Sequence, residues 1–237
     1  MNIEKFTKRR KELGLTQKKI GSILKIGEGT ISHYKDRNIP SIESLNGITN
    51  ILQVTADYLL DTHENEIEFF LKKLSLTQKE IYFFEKYLSV DIKDRESLER
   101  IIPFNSKEEK DNEKLSPTFY ETTTKISISQ AEFLKSLRKE KGLSQSQLAS
   151  AMGMALRKLQ AYEQGLNNIN VSSCIEFARF FGVTVDEFIG AEITTEKLIN
   201  SLPMSLTERK LFKNYLSLDI PEREKFIDII ELISGIK

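Results

Sequence analysis

The chain has 237 residues, 39% hydrophobic and 30% charged, with 35 basic residues balanced by 35 acidic ones, which fits one large or two small globular domains with a real core. Cys174 is the only cysteine, so an intrachain disulfide framework is excluded. No apolar run is long enough to span a bilayer and the N-terminus is charged from Glu4 onward, which predicts a cytoplasmic chain with neither signal peptide nor membrane span.

The neutral total hides an uneven distribution. Residues 1–40 hold ten Lys/Arg against four acids, and residues 129–168 hold six against three, while the acidic excess sits elsewhere, notably in 63–124. A basic face on a neutral protein is the footprint of a phosphate-binding surface; the plain alternative for any isolated basic run is a solvated helix face.

In chain order, Lys5 to Leu13 predicts a first helix stopped at Gly14, which can take the left-handed C-cap conformation, with Leu15 supplying the accompanying apolar contact. Thr16 then N-caps a second helix with Ile20, Ile23 and Leu24 on one face. Lys25-Ile26-Gly27 is a turn, and Glu28 to Lys35 a third helix with Ile31 inward. Ser41 and Thr55 open helices four and five, and Leu45, Ile48 and Leu52 line the core. An amphipathic pair follows, Glu68 to Leu74 and Gln78 to Leu88, with Ile81, Phe84 and Leu88 on one stripe, closed by Asp94 to Ile102. Residues 103–125 are charged and poor in apolar periodicity, and read as a mobile linker.

The pattern then repeats. Phe133 to Lys141 stops at Gly142, and Ser144 with Gln147 forms a capping box. Leu148 and Met152 share a face, Gly153-Met154-Ala155 turns, and Leu156 to Glu163 is a helix with Leu159 inward. Asn170 and Thr184 open the next two helices, where Cys174, Phe177 and Phe181 line the core, Cys174 as a small buried hydrophobe rather than a reactive thiol. Glu196 to Leu202, Thr207 to Leu216 and Glu222 to Ile233 make the second helical hairpin and its closing helix. Gly14-Leu15-Thr16-Gln17 recurs as Gly142-Leu143-Ser144-Gln145, and Tyr87-Leu88-Ser89 as Tyr215-Leu216-Ser217, both at an offset of 128. The offset sets boundaries at 1–62, 63–102, 126–190 and 191–237 around the linker 103–125. The hairpins must bury their apolar faces against their own domain, against each other, or against a partner chain. The last helix, with Phe226, Ile229, Ile230 and Ile233, leans toward the interaction reading.

Two short helices joined by a turn of three or four residues describe a helix-turn-helix. The sequence resembles the Xre/Cro-like, lambda-repressor-like family of phage and bacterial repressors. Residues Gly142 to Ala149, Gly153-Met154, Tyr162-Glu163-Gln164-Gly165 and Phe181 to Phe188 follow the family pattern in order and spacing. In the first copy Gly14 to Gln17, Ile31-Ser32-His33-Tyr34 and Val54 to Leu60 do the same. Departures are Lys25 at a turn position usually held by glycine, and Lys35 where the second copy keeps Glu163; the loop before Pro40 is also one residue shorter.

The resemblance implies an all-α fold of two lambda-repressor-like helix-turn-helix domains, each followed by a short helical hairpin. It implies a double-stranded DNA partner and regulation of transcription, with repression the expected sense. The recognition helices, 28–35 and 156–163, would enter the major groove. The readers implied are Glu28, Gly29, Thr30 and His33 in the first copy and Leu156, Arg157, Lys158 and Ala161 in the second, with Gln17 and Gln145 steadying them on phosphate. Arg157 suits guanine O6 and N7, Leu156 a thymine methyl, and Glu28 either cytosine N4 or the positive end of its own helix. Lys18, Lys19, Lys158 and Arg10 suit phosphate, which positions without specifying.

Unequal reading faces imply an asymmetric or pseudo-palindromic operator. A pseudo-dimer within one chain and a homodimer through the helical hairpins both stay open, as does whether both copies read DNA. His33 has only His63 as a fellow histidine and no cysteine or carboxylate cluster beside it, so neither metal nor cofactor is expected. No glycine-rich phosphate loop or nucleophile–base set points to an enzyme. The alternative is a protein-interaction module that docks through the helix-turn-helix and hairpin surfaces without DNA.

Overall fold

The computed structural model describes residues 1–34, 40–91, 95 and 129–234. The linker expected over 103–125, Lys35 at the end of the third helix, and the helix expected over Asp94 to Ile102 lie outside the described residues, Arg95 excepted. So does the Ile233 side chain. Among the described residues every regular element is a helix, and no helix is long and apolar enough to cross a membrane.

These residues fall into two compact units. One gathers residues 1–62 with 129–193, the other residues 63–91 and 95 with 194–234. Residues 1–62 and 129–193 therefore share one unit, and the helical segments that follow each of them share the other.

In the first unit the leading half supplies α1 (Ile3–Glu12), α2 (Gln17–Leu24), α3 (Glu28–His33), α4 (Ile42–Leu52) and α5 (Ala56–Leu60). Asn2 caps α1, its side-chain oxygen accepting from the Glu4 and Lys5 amides, so the helix starts earlier than its apolar pattern suggests. Thr16 caps α2 through the Lys19 amide, and Ser41 caps α4 through the Ser44 amide. Gly14 ends the first helix at φ +63°. Lys25 closes α2 in the same left-handed region, at φ +55°, where a side chain costs about 1 kcal/mol or more that glycine avoids. Phe6, Ile20, Ile31, Leu45, Ile48 and Leu52 are fully buried; at about 1.5–3 kcal/mol for each large apolar side chain, they supply the drive that helices this short lack alone.

The trailing half supplies the equivalents α8 (Gln130–Glu140), α9 (Gln145–Ala151), α10 (Leu156–Glu163), α11 (Val171–Phe181) and α12 (Val185–Ile189). Ser129 with Glu132, Ser144 with Gln147 and Thr184 with Glu187 form capping boxes. Phe177 stacks on Phe188 at 5.8 Å between ring centroids, and Phe133 meets Phe188 edge-on at 5.7 Å. Gly153 takes φ +60° at the turn where the first half has Lys25. Leu45 and Ala56 of the leading half join this second core, so the two halves bury apolar surface together.

The second unit holds α6 (Glu66–Lys73), α7 (Gln78–Ser89), α13 (Thr195–Ser201), α14 (Leu206–Ser217) and α15 (Ile220–Ser234). Thr77 with Glu80 and Ser205 with Glu208 form capping boxes at the starts of α7 and α14. Phe84 and Phe212 meet edge-on at 4.6 Å, and Phe84 and Tyr215 at 5.1 Å. On α15, Ile227 and Ile230 are buried while Ile229 is exposed, so one stripe of the last helix packs within the unit.

Candidate nucleic-acid interface

The second helix-turn-helix is built around one buried ion pair. Arg138 on α8 donates from Nε to Glu163 Oε1 at 2.6 Å and from Nη2 to Oε2 at 2.9 Å, a two-pronged fit of guanidinium to carboxylate. Its Nη1 donates to the Leu143 carbonyl at 2.7 Å. Gln145, the first residue of α9, donates from Nε2 to Glu163 Oε2 at 2.9 Å, and Gln160 Nε2 reaches Gln145 Oε1 at 3.5 Å. Burial pushes the Glu163 carboxyl up, but the hydrogen bonds from Arg138 and Gln145 outweigh it and hold the group below the usual carboxylate range. Three helices are thus tied through one carboxylate, which fixes the start of α9 against α10.

That tie leaves the outer face of α10 free. Leu156, Arg157 and Lys158 are exposed, Ala161 is half-buried, and Leu159 and Tyr162 turn inward. Lys158 Nζ lies 5.6 Å from the centre of the Tyr162 ring one turn on.

The leading half presents Lys18, Lys19, Thr30 and His33 to solvent, with Gln17 half-buried at the start of α2. Of the Glu28 side chain and the exposure of Gly29 nothing is described. Arg10 occupies the place of Arg138 and makes the equivalent bond, Nη1 to the Leu15 carbonyl at 2.9 Å. Among the described residues its Nε is buried without a partner, and Lys35 stands in the sequence at the position of Glu163. The two heads share a backbone plan and differ in their electrostatic locks.

The sequence pattern did not single out Arg138; its signal was a basic residue four positions before the helix-ending Gly142, with a glutamate at Glu163. Nor did it flag Asp57 and Asp186, whose recurrence just after the capping threonine of each half was the available sign. Cys174 is fully buried, and burial pushes its thiol up to about 12, as befits a packing residue.

Within this all-helical fold, residues 134–188 match the helix-turn-helix family. Over 102 residues, 42% of this chain and 83% of the other, the sequence is 28% identical to the cryptic phage CTXphi transcriptional repressor RstR of Vibrio cholerae. No solved structure matches the chain. The family match and the similarity support DNA-binding transcription regulation in general terms, and a regulatory role rather than an enzymatic one.

Proposed function

We propose that this chain is a sequence-specific double-stranded DNA-binding repressor made of two tandem copies of one unit, working in the cytoplasm, with α3 and α10 as its recognition helices in the major groove. The observation that carries this reading is the Arg138–Glu163–Gln145 tie. It spends a buried ion pair on orienting the first residue of α9 and the helix that presents Arg157 and Lys158 outward. A helix pair that served packing alone would gain as much from an apolar contact there.

In this reading Gln17 and Gln145 sit against phosphate, and Lys18 and Lys158 add phosphate contacts. Thr30, His33, Leu156, Arg157 and Ala161, with Glu28 and Gly29, face base edges. Because the residues of the two heads differ, the operator has two unlike halves. Selection from a random duplex pool with the full chain tests the reading. Enrichment of one bipartite motif is expected, and a pool that stays random after repeated rounds overturns it.

A further inference from the structure

The contacts between the two halves come in reciprocal pairs. In the first unit Asp186 accepts from the amides of Ala56 at 2.9 Å and Asp57 at 3.1 Å, while Asp57 accepts from the amides of Val185 at 3.0 Å and Asp186 at 3.3 Å. Each aspartate is the equivalent of the other, second in its short helix α5 or α12.

The second unit repeats the exchange with other chemistry. Tyr87 donates to Glu208 at 3.0 Å and Tyr215 to Glu80 at 2.6 Å. Arg95 Nε lies 3.3 Å from Glu208 Oε1, and Arg223 Nη1 lies 3.7 Å from Glu80 Oε1. Arg95 donates to the Pro203 carbonyl at 2.8 Å, and Arg223 to the Ser75 carbonyl at 3.4 Å. The partners in this second unit are related by the offset of 128 and the aspartates by 129, and Phe84 meets its own equivalent Phe212. Contacts in which i meets j and j meets i are what a two-fold interface between identical subunits requires; they do not arise from packing unrelated segments.

From this we infer that one chain supplies both reading heads of one operator: its halves meet each other as the subunits of a dimer would, and a single chain occupies a single DNA site. The inference rests on the DNA reading above and adds to it the stoichiometry and the polarity of the site. The related phage repressor fits the same arithmetic. Its 102 matched residues are most of its length but only 42% of this chain, about one of the two copies. Since the heads are fused in fixed order and read with different residues, the chain lies on its operator in one orientation only. Tethering also holds the second head at roughly millimolar local concentration once the first has bound, so half-occupied sites stay rare.

The test uses the full chain and the duplex recovered by selection. Mass measurement on the complex is expected to give one 27.3 kDa chain per duplex, with a binding curve that shows no cooperativity in chain concentration. A duplex carrying two inverted copies of either half-site is expected to bind about tenfold or more weakly than the natural pairing, since each mismatched base pair costs about 1–3 kcal/mol. Two chains per duplex, or equal binding to an inverted repeat of one half-site, overturns the inference while leaving the DNA reading intact. A failure to recover any duplex removes the DNA reading, and the inference falls with it.

Discussion

Asp57 and Asp186 cap each other's helices: each carboxylate accepts two backbone amides from the first residues of the helix the other belongs to. Both are almost fully buried, and Thr62 Oγ1 adds a bond to Asp57 Oδ1 at 2.6 Å. Amide donors and the positive ends of two helices favour the charge, while burial and the second carboxylate oppose it. Burial is the larger effect and, with the Asp57 carboxylate opposite, pushes Asp186 up to about 7. Asp186 therefore keeps its proton to higher pH than a free carboxyl does.

Stability should record that proton. A carboxyl whose folded pKa is raised binds more protons folded than unfolded, so its contribution falls as pH rises from about 4 to about 7 and is level above. Asp186→Asn keeps the shape of the protonated acid and cannot ionise. Urea midpoints across this range are expected to move in favour of the variant, relative to the parent, as pH rises. A constant difference would remove the raised Asp186 carboxyl from the account.

The Arg138–Glu163 pair predicts a large loss. Glu163→Ala strands a guanidinium that is 10% exposed, and breaking a buried ion pair from one side costs about 3–5 kcal/mol. The lower end is expected, since Arg138 keeps its bond to the Leu143 carbonyl. Gln145 also loses its anchor, so DNA affinity should fall further than stability alone explains when both are measured at a temperature where the variant is folded.

Lys25→Gly is expected to stabilise the chain by about 0.5–1 kcal/mol, read as a shift in urea midpoint, because glycine takes the left-handed C-cap conformation without the side-chain penalty. Lys25 holds φ +55° where Gly153 holds φ +60°. Glycine's greater freedom in the unfolded chain limits the gain.

Two surface substitutions separate reading from positioning. Arg157→Ala should relax preference at one base pair, and Lys18→Ala should weaken every sequence alike and reduce the salt dependence of binding by about one ion. Recovering an unaltered motif with Arg157→Ala would take that residue off the reading face.

Much of this architecture was legible in the sequence because its signals are local. Thr16, Ser41, Thr55, Ser144, Asn170 and Thr184 each mark a helix start, and each caps one. Starts that rest on a cap outside the apolar stripe, such as Asn2 and Ser129, were read a turn or less too late. The reciprocal contacts were not legible. Apolar periodicity says that Phe84 is buried, not that Phe212 buries it, and a repeat shows that two segments are alike without saying that they touch. Glu80 and Glu208 close capping boxes with Thr77 and Ser205. That each also receives the other half's tyrosine depends on an approach of segments 128 residues apart.

The central claim, that this surface binds the DNA backbone and reads its bases, is tested most directly by titrating the full chain with its selected duplex at several salt concentrations. Phosphate neutralisation predicts that log affinity falls linearly with log salt, with a slope of several ions, and that a scrambled duplex keeps the slope but loses affinity. Affinity unchanged by salt, or equal for selected and scrambled duplexes, would contradict it.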